Sequence, residues 1–130
     1  MMATAHRIVI VEDDPGMSQA VERLLGAAGY PAISFANAES FLEASPTEQF
    51  CCYVFDIRLT GMSGLDLAER LHQSGDLTPF ILMTAHDDEA RQSHPAMARA
   101  SALFTKPFSG REFVAAIRGA ALPEATGRSP

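Results

Sequence analysis

The sequence predicts an α/β fold, a doubly wound sheet of five parallel strands covered by helices on both faces. Two observations carry this. Five short apolar runs, rich in β-branched and aromatic residues, alternate with five stretches whose apolar residues recur at helical spacing. The strand runs are continuously apolar rather than alternating, as expected for strands buried on both faces. A third fact bounds the answer: 130 residues suit one domain with one real core.

The elements follow in order. "HRIVIV", residues 6–11, reads as the first buried strand. "EDDP" follows, with Pro15 placed to open a helix. Met17, Ala20, Val21, Leu24, Leu25 and Ala28 give that helix its apolar face, and Gly29 ends it. "PAISF" is a short second strand, and Asn37 caps a helix over 38–44. "CCYVFD", 51–56, is the third strand; Leu65, Ala68 and Leu71 mark the third helix, stopped near Gly75. "PFILMT", 79–84, is the fourth strand. Asp87, Asp88 and Glu89 suit the first turn of a fourth helix. Pro95 falls inside that helix, so its regular part should stop near Gln92 to His94. "ALFT" is the fifth strand, and Phe113, Ala116, Ile117, Ala120 and Ala121 mark the last helix. The domain is expected over 6–121, with 1–5 as an N-terminal extension and 122–130 as a tail or linker.

Composition removes several functions. Hydrophobic residues make up 47% and charged residues 20%, which fits a soluble globular chain. The net charge of −6 argues against nucleic-acid binding by bulk electrostatics. No apolar stretch reaches the roughly 18 residues that span a membrane. The start, "MMATAHRIVIVEDD", does not read as a signal peptide, so the expected location is cytoplasmic. Cys51 and Cys52 are adjacent and read as reduced core residues. Nine of the ten basic residues are arginine, which singles out Lys106 as a place where a compact ammonium is wanted.

Ligands of parallel α/β sheets bind at the carboxyl ends of the strands. Glu12 and Asp13 follow the first strand, Asp56 ends the third, Thr84 ends the fourth and Lys106 follows the fifth. With strand order 2-1-3-4-5, these five residues converge on one patch. Clustered carboxylates need a cation, and few hard oxygen ligands suit Mg²⁺. A lysine and a threonine opposite them supply a charge and a hydrogen bond for phosphate oxygens. An aspartate can be the nucleophile and become an aspartyl-phosphate. The residues therefore point to Mg²⁺-assisted phosphoryl transfer to a carboxylate. Asp14 reads instead as a helix cap or a solvated loop residue.

The motifs "VIVEDD", "DIRLTGMSG", "ILMTA" and "TKPF", in this order and on these elements, resemble a two-component response-regulator receiver domain over about residues 6–121. "DIRLTGMSGLDL" and "FTKPF" resemble most the receivers of nitrogen-fixation-type transcriptional regulators. The resemblance implies a flavodoxin-like (βα)5 fold. It implies Asp56 as phosphoacceptor, and a Mg²⁺ site of Asp13, Asp56, Glu12 through a water, and the carbonyl of Arg58. It implies Thr84 as the switch hydroxyl, Lys106 as a phosphoryl contact and a cis bond between Lys106 and Pro107. The phosphoryl source would be a sensor histidine kinase or a phosphotransfer protein. The chain would be a switch rather than an enzyme, catalysing only its own phosphorylation and dephosphorylation. Homodimerisation on phosphorylation stays open.

The chain departs from the family pattern at four places. Thr60 replaces a proline four residues after the acceptor, and Leu103 stands where the switch aromatic belongs. Phe104 beside it should point to the other face of its strand. Arg99 stands where a glycine usually ends the fourth helix, and Pro95 interrupts that helix. These departures imply intact chemistry with an unusual relay. His6, His72, His86 and His94 make no metal-ligand spacing; His86 could border the site and give it a pH sensitivity.

Three other readings compete. A haloacid-dehalogenase-like phosphohydrolase needs D-x-D at its nucleophile, and Arg58 occupies the second position. A nucleotide-binding module needs a glycine-rich phosphate motif, and none occurs; a flavin-binding domain wants a phosphate loop after the first strand, where this chain offers acids that would repel it. A degenerate receiver, a phosphorylation-independent binding module, is opposed by the intact acids, threonine and lysine.

Overall fold

The computed structural model describes residues 7–44, 49–85 and 93–121. Among these described residues, ten elements alternate: β1 Ile8–Val11, α1 Pro15–Ala27, β2 Ala32–Phe35, α2 Ala38–Ala44, β3 Cys52–Asp56, α3 Gly64–Gln73, β4 Phe80–Thr84, α4 Pro95–Arg99, β5 Ala102–Thr105 and α5 Gly110–Ala120. The strands form one sheet in the order β2-β1-β3-β4-β5, and every pairing is parallel. This is the predicted doubly wound, flavodoxin-like topology.

Strand alternation sorts the core into two layers. Val9, Val11, Tyr53, Phe55 and Leu82 face α2, α3 and α4, where they meet Phe41, Leu67 and Ala96. Ile8, Ile10, Val54, Ile81 and Met83 face α1 and α5, where they meet Val21, Leu25, Phe113 and Ile117. β1, β3 and β4 are buried at every position, which explains their continuous apolar runs. Cys51 and Cys52 are free and buried, and burial pushes their thiols up to about 11 and about 12. A thiol held that high supplies little thiolate, so the inert core reading stands.

Local signals set the helix ends. Asp14 caps α1 by accepting from the Gly16 N–H, as expected, and Pro15 opens the helix. Gly29 and Gly75 follow α1 and α3 with φ of 95° and 94°. Each closes its helix with paired backbone bonds: Tyr30 N to Leu25 O and Gly29 N to Gly26 O, then Asp76 N to Leu71 O and Gly75 N to His72 O. Asn37 Oδ1 accepts from Ser40 N at 2.7 Å, the expected cap of α2.

The fourth helix is where sequence and structure part. Its expected start at Asp87–Glu89 lies outside the described residues. So does part of its expected stop near Gln92 to His94. His94 itself is extended at ψ 134°, so no regular helix runs through Pro95. Pro95 opens a short helix, at the first helical position, where its missing N–H costs nothing. His94 caps this short helix through Nδ1, which accepts from Ala96 N, and its Nε2 lies 3.0 Å from Asp66 on α3. Arg99 pairs with Glu69, also on α3. Leu103 is exposed on β5, and Phe104 turns to the other face, packing against Phe108 and Phe113.

Candidate functional site

The sheet order makes β1, β3, β4 and β5 consecutive neighbours, so their carboxyl ends share one edge. Glu12 and Asp13 leave β1 there. Asp56 and Thr84 are the last residues of β3 and β4, and Lys106 follows β5. Glu12, Asp56 and Thr84 are buried, while Asp13 is exposed. All five sequence-predicted side chains thus reach one edge.

The centre of the site is the Lys106 ammonium. Nζ donates to Glu12 Oε1 at 2.8 Å and to Asp56 Oδ2 at 2.9 Å. The remaining carboxylate oxygens are used too. Asp56 Oδ1 accepts from Arg58 N at 3.0 Å, and Glu12 Oε2 accepts from Asp14 N at 3.1 Å. Lys106 N donates to Thr84 O at 2.7 Å, which ties the β5 exit to the end of β4. The Lys106–Pro107 bond is cis, as the resemblance implied.

Glu12, Asp13 and Asp56 each offer a carboxylate oxygen, and those atoms lie within 4.8 Å of one another. Three hard oxygen donors this close fit a small divalent cation that keeps part of its water shell. Among the described residues, no other carboxylate, His or Cys is needed to complete that set. His72 and His94 are remote from it on α3 and at α4, and His6 and His86 lie outside the described residues.

Burial pushes Glu12 up to about 7 from an ordinary value of 4.5, against the pull of the Lys106 ammonium. Burial works to lower Lys106 as well, but the carboxylates of Glu12 and Asp56 outweigh it and hold the ammonium above 10.5. Between 4.5 and about 7 the folded state keeps a proton on Glu12 that the unfolded chain gives up. The stability this group contributes is therefore fully present below 4.5 and is lost as pH rises through 7. Metal-free wild type should lose stability relative to Glu12→Gln as urea unfolding is moved from about pH 5 to about pH 8. Parallel pH profiles for the two proteins would show that Glu12 titrates normally.

One contact has no counterpart in the sequence reading. Glu39, on α2, accepts from Met62 N at 2.9 Å and so grips the loop that follows Asp56. Its only sequence signal is the glycine-rich turn "GMSG" itself.

The profile of the response regulator receiver domain matches residues 8–118. The transcriptional regulatory protein FixJ of Bradyrhizobium diazoefficiens is 31% identical over 119 residues, covering 92% of this chain and 58% of FixJ. The response regulator TodT of Pseudomonas putida is 32% identical over 120 residues, covering 92% of this chain and 53% of TodT. A CheY-like receiver domain from Methanospirillum hungatei superposes with a TM-score of 0.79 at 28% identity, covering 87% of this chain and 90% of that one. The chain belongs to the response regulator receiver family, the receiving modules of two-component systems. It spans little more than half the length of the two curated relatives.

Proposed function

We propose that this chain is a phosphorylation switch whose acceptor is Asp56. The observation that carries the reading is the Lys106 ammonium held between Glu12 and Asp56 at 2.8 and 2.9 Å, with Asp13 and Thr84 at the same strand edge. The donor is a phosphohistidine on a sensor histidine kinase or a phosphotransfer protein. The P–N bond to histidine breaks as a bond forms between phosphorus and an Asp56 carboxylate oxygen, and the imidazole leaves and takes a proton. Water later attacks phosphorus, breaks the acyl-phosphate bond and releases inorganic phosphate.

Each residue has a task in this reading. Asp13, Asp56, Glu12 through a water and the carbonyl of Arg58 would hold Mg²⁺. Bound there, Mg²⁺ offsets the charge of the carboxylates and of the phosphoryl oxygens. Lys106 contacts one phosphoryl oxygen, and the Thr84 hydroxyl moves toward another. That movement is relayed through β5, where Leu103 faces out and Phe104 faces in. The α4 end is tied to α3 by Arg99–Glu69 and His94–Asp66, so the relay runs over a stiffened corner. Residues 6–121 form the receiver, with 1–5 as an extension and 122–130 as a tail or linker. The chain works in the cytoplasm and controls a partner or an output domain, with homodimerisation on phosphorylation as one route. DNA contact belongs to that output and not to this acidic chain. Among the described residues, no helix is long and apolar enough to cross a membrane.

Intact mass after incubation with Mg²⁺ and acetyl phosphate tests the reading. Wild type should gain one phosphoryl group, and Asp56→Asn should gain none. No adduct on wild type, with Mg²⁺ binding confirmed, would instead make the chain a receiver fold kept as a phosphorylation-independent binding module.

A further inference from the structure

The loop from Ile57 to Ser63 has two anchors. The inner one lies against the sheet: Gly64 N donates to Ile57 O at 3.0 Å, and Arg58 N donates to Asp56 Oδ1 at 3.0 Å. The outer one is Glu39. Its Oε2 takes the Met62 N–H at 2.9 Å from the first turn of α2. α2 can serve as a fixed post because Ala38 and Phe41 bury its other side and Asn37 caps it. Thr60 adds only a long contact, Oγ1 to Asp13 Oδ2 at 3.5 Å.

The turn is shaped to reach this post. Gly61 has φ of +82°, a left-handed conformation that side chains resist. A Cβ there would also sit 2.7 Å from Glu39 Oε2. The absent side chain is thus what lets the carboxylate approach the next amide. The Met62 N–H holds the Glu39 carboxyl below the usual carboxylate range, as a carboxylate accepting a real hydrogen bond should be. Position 60 is threonine, so no proline ring fixes the backbone there, and the Glu39 contact adds to the anchoring of the loop.

We propose that Glu39 is a positioning residue for the phosphoacceptor site. Through Met62 it fixes the β3–α3 loop, and with it the Arg58 backbone that supplies a Mg²⁺ ligand. This rests on the proposed function, in which that carbonyl is a ligand. Glu39 touches neither metal nor phosphoryl group; it limits where the loop can go.

The test compares Glu39→Ala and Glu39→Gln by Mg²⁺ titration of the whole chain, with thermal unfolding alongside. Glutamine keeps an oxygen that can accept the Met62 N–H but carries no charge. Glu39→Ala should weaken Mg²⁺ binding by about tenfold, the scale of losing a residue that orients a metal ligand, with Glu39→Gln close to wild type. Hydrogen exchange at the Met62 amide should speed up in the alanine variant alone. Wild-type Mg²⁺ affinity in Glu39→Ala would overturn the proposal. Equal weakening in both variants would overturn it too, because the effect would then be the loss of a surface charge. If wild type itself bound no Mg²⁺, the proposed function would fall first, and this role with it. Wild type that binds Mg²⁺ beside an unchanged alanine variant sinks the positioning role alone.

Discussion

Lys106→Met should destabilise the metal-free protein by about 3–5 kcal/mol at pH near 8, and clearly less at pH near 5.5. Methionine keeps most of the aliphatic stem and removes the ammonium. That leaves Glu12 and Asp56, at 2% and 4% exposure, without the cation that sits 2.8 and 2.9 Å away. A buried charge stripped of its partner is costly, and this is the usual scale of the loss. The cost has a ceiling, because an acid can neutralise itself. Burial already pushes Glu12 up to about 7, so below that value it takes a proton and the missing cation matters less. Urea unfolding at the two pH values reads the difference. Saturating Mg²⁺ should narrow the gap at the higher pH, since a cation then returns to the carboxylates. The same variant should label with acetyl phosphate at least about a hundredfold more slowly, the typical loss when a charge that faces a developing anion is removed. Equal destabilisation at both pH values would mean that Lys106 acts through its stem, not through its charge.

The parts of this site that were legible in the sequence are those fixed by chain-local rules. A continuously apolar strand followed by an acid places Glu12 and Asp56 at a strand end without any tertiary knowledge. Gly29, Gly75, Asn37 and Asp14 announce caps because their backbone or side-chain chemistry acts within a few residues. Parallel strands then follow from the βα alternation, while the convergence of the five site residues needs the order β2-β1-β3-β4-β5 as well, which the family resemblance implied and the sheet shows. What stayed hidden depends on partners far along the chain. Glu39 lies 23 residues before Met62, and only the packing of α2 beside the β3–α3 loop brings them together. Arg99 looked like a mere loss of glycine, yet its guanidinium meets Glu69 across the α3–α4 contact. His94 had no metal spacing and no other visible role, but both ring nitrogens are used, one to cap α4 and one on Asp66. Pro95 marks a helix boundary, and proline opens a helix as readily as it breaks one; here the helix Pro95–Arg99 begins at it.

Gly64→Ala sets two physical effects against each other, and the geometry says which wins. Gly64 is the first residue of α3, after the Ser63 cap. Helix propensity alone favours alanine over glycine by up to about 1 kcal/mol. But a Cβ at 64 would lie 2.1 Å from the carbonyl oxygen of Asp56, 2.9 Å from its carbonyl carbon and 3.2 Å from Ile57 Cα. Two of these are backbone atoms of Asp56, the last residue of a strand buried at every position, and the third is backbone of the buried Ile57, so they cannot swing aside as a flexible side chain can. The helix start must back away, or the end of β3 must move. Overpacking of this kind costs about 1–3 kcal/mol, and a clash against backbone belongs at the upper end. The variant should therefore be less stable by about 2–3 kcal/mol despite the better helix former. Gly26→Ala is the matched control: Gly26 is exposed in α1, and a Cβ there meets nothing within 4 Å. It should gain about 0.5–1 kcal/mol. Function should separate the two further. Asp56 is the residue whose backbone is struck, and a misplacement of about 1 Å can cost a hundredfold in rate. Acetyl phosphate labelling should drop steeply in Gly64→Ala and stay at the wild-type rate in Gly26→Ala. If Gly64→Ala instead matched its control in both stability and labelling, the start of α3 would be free to shift. Contact between that helix and the Asp56 backbone would then not be what fixes the acceptor.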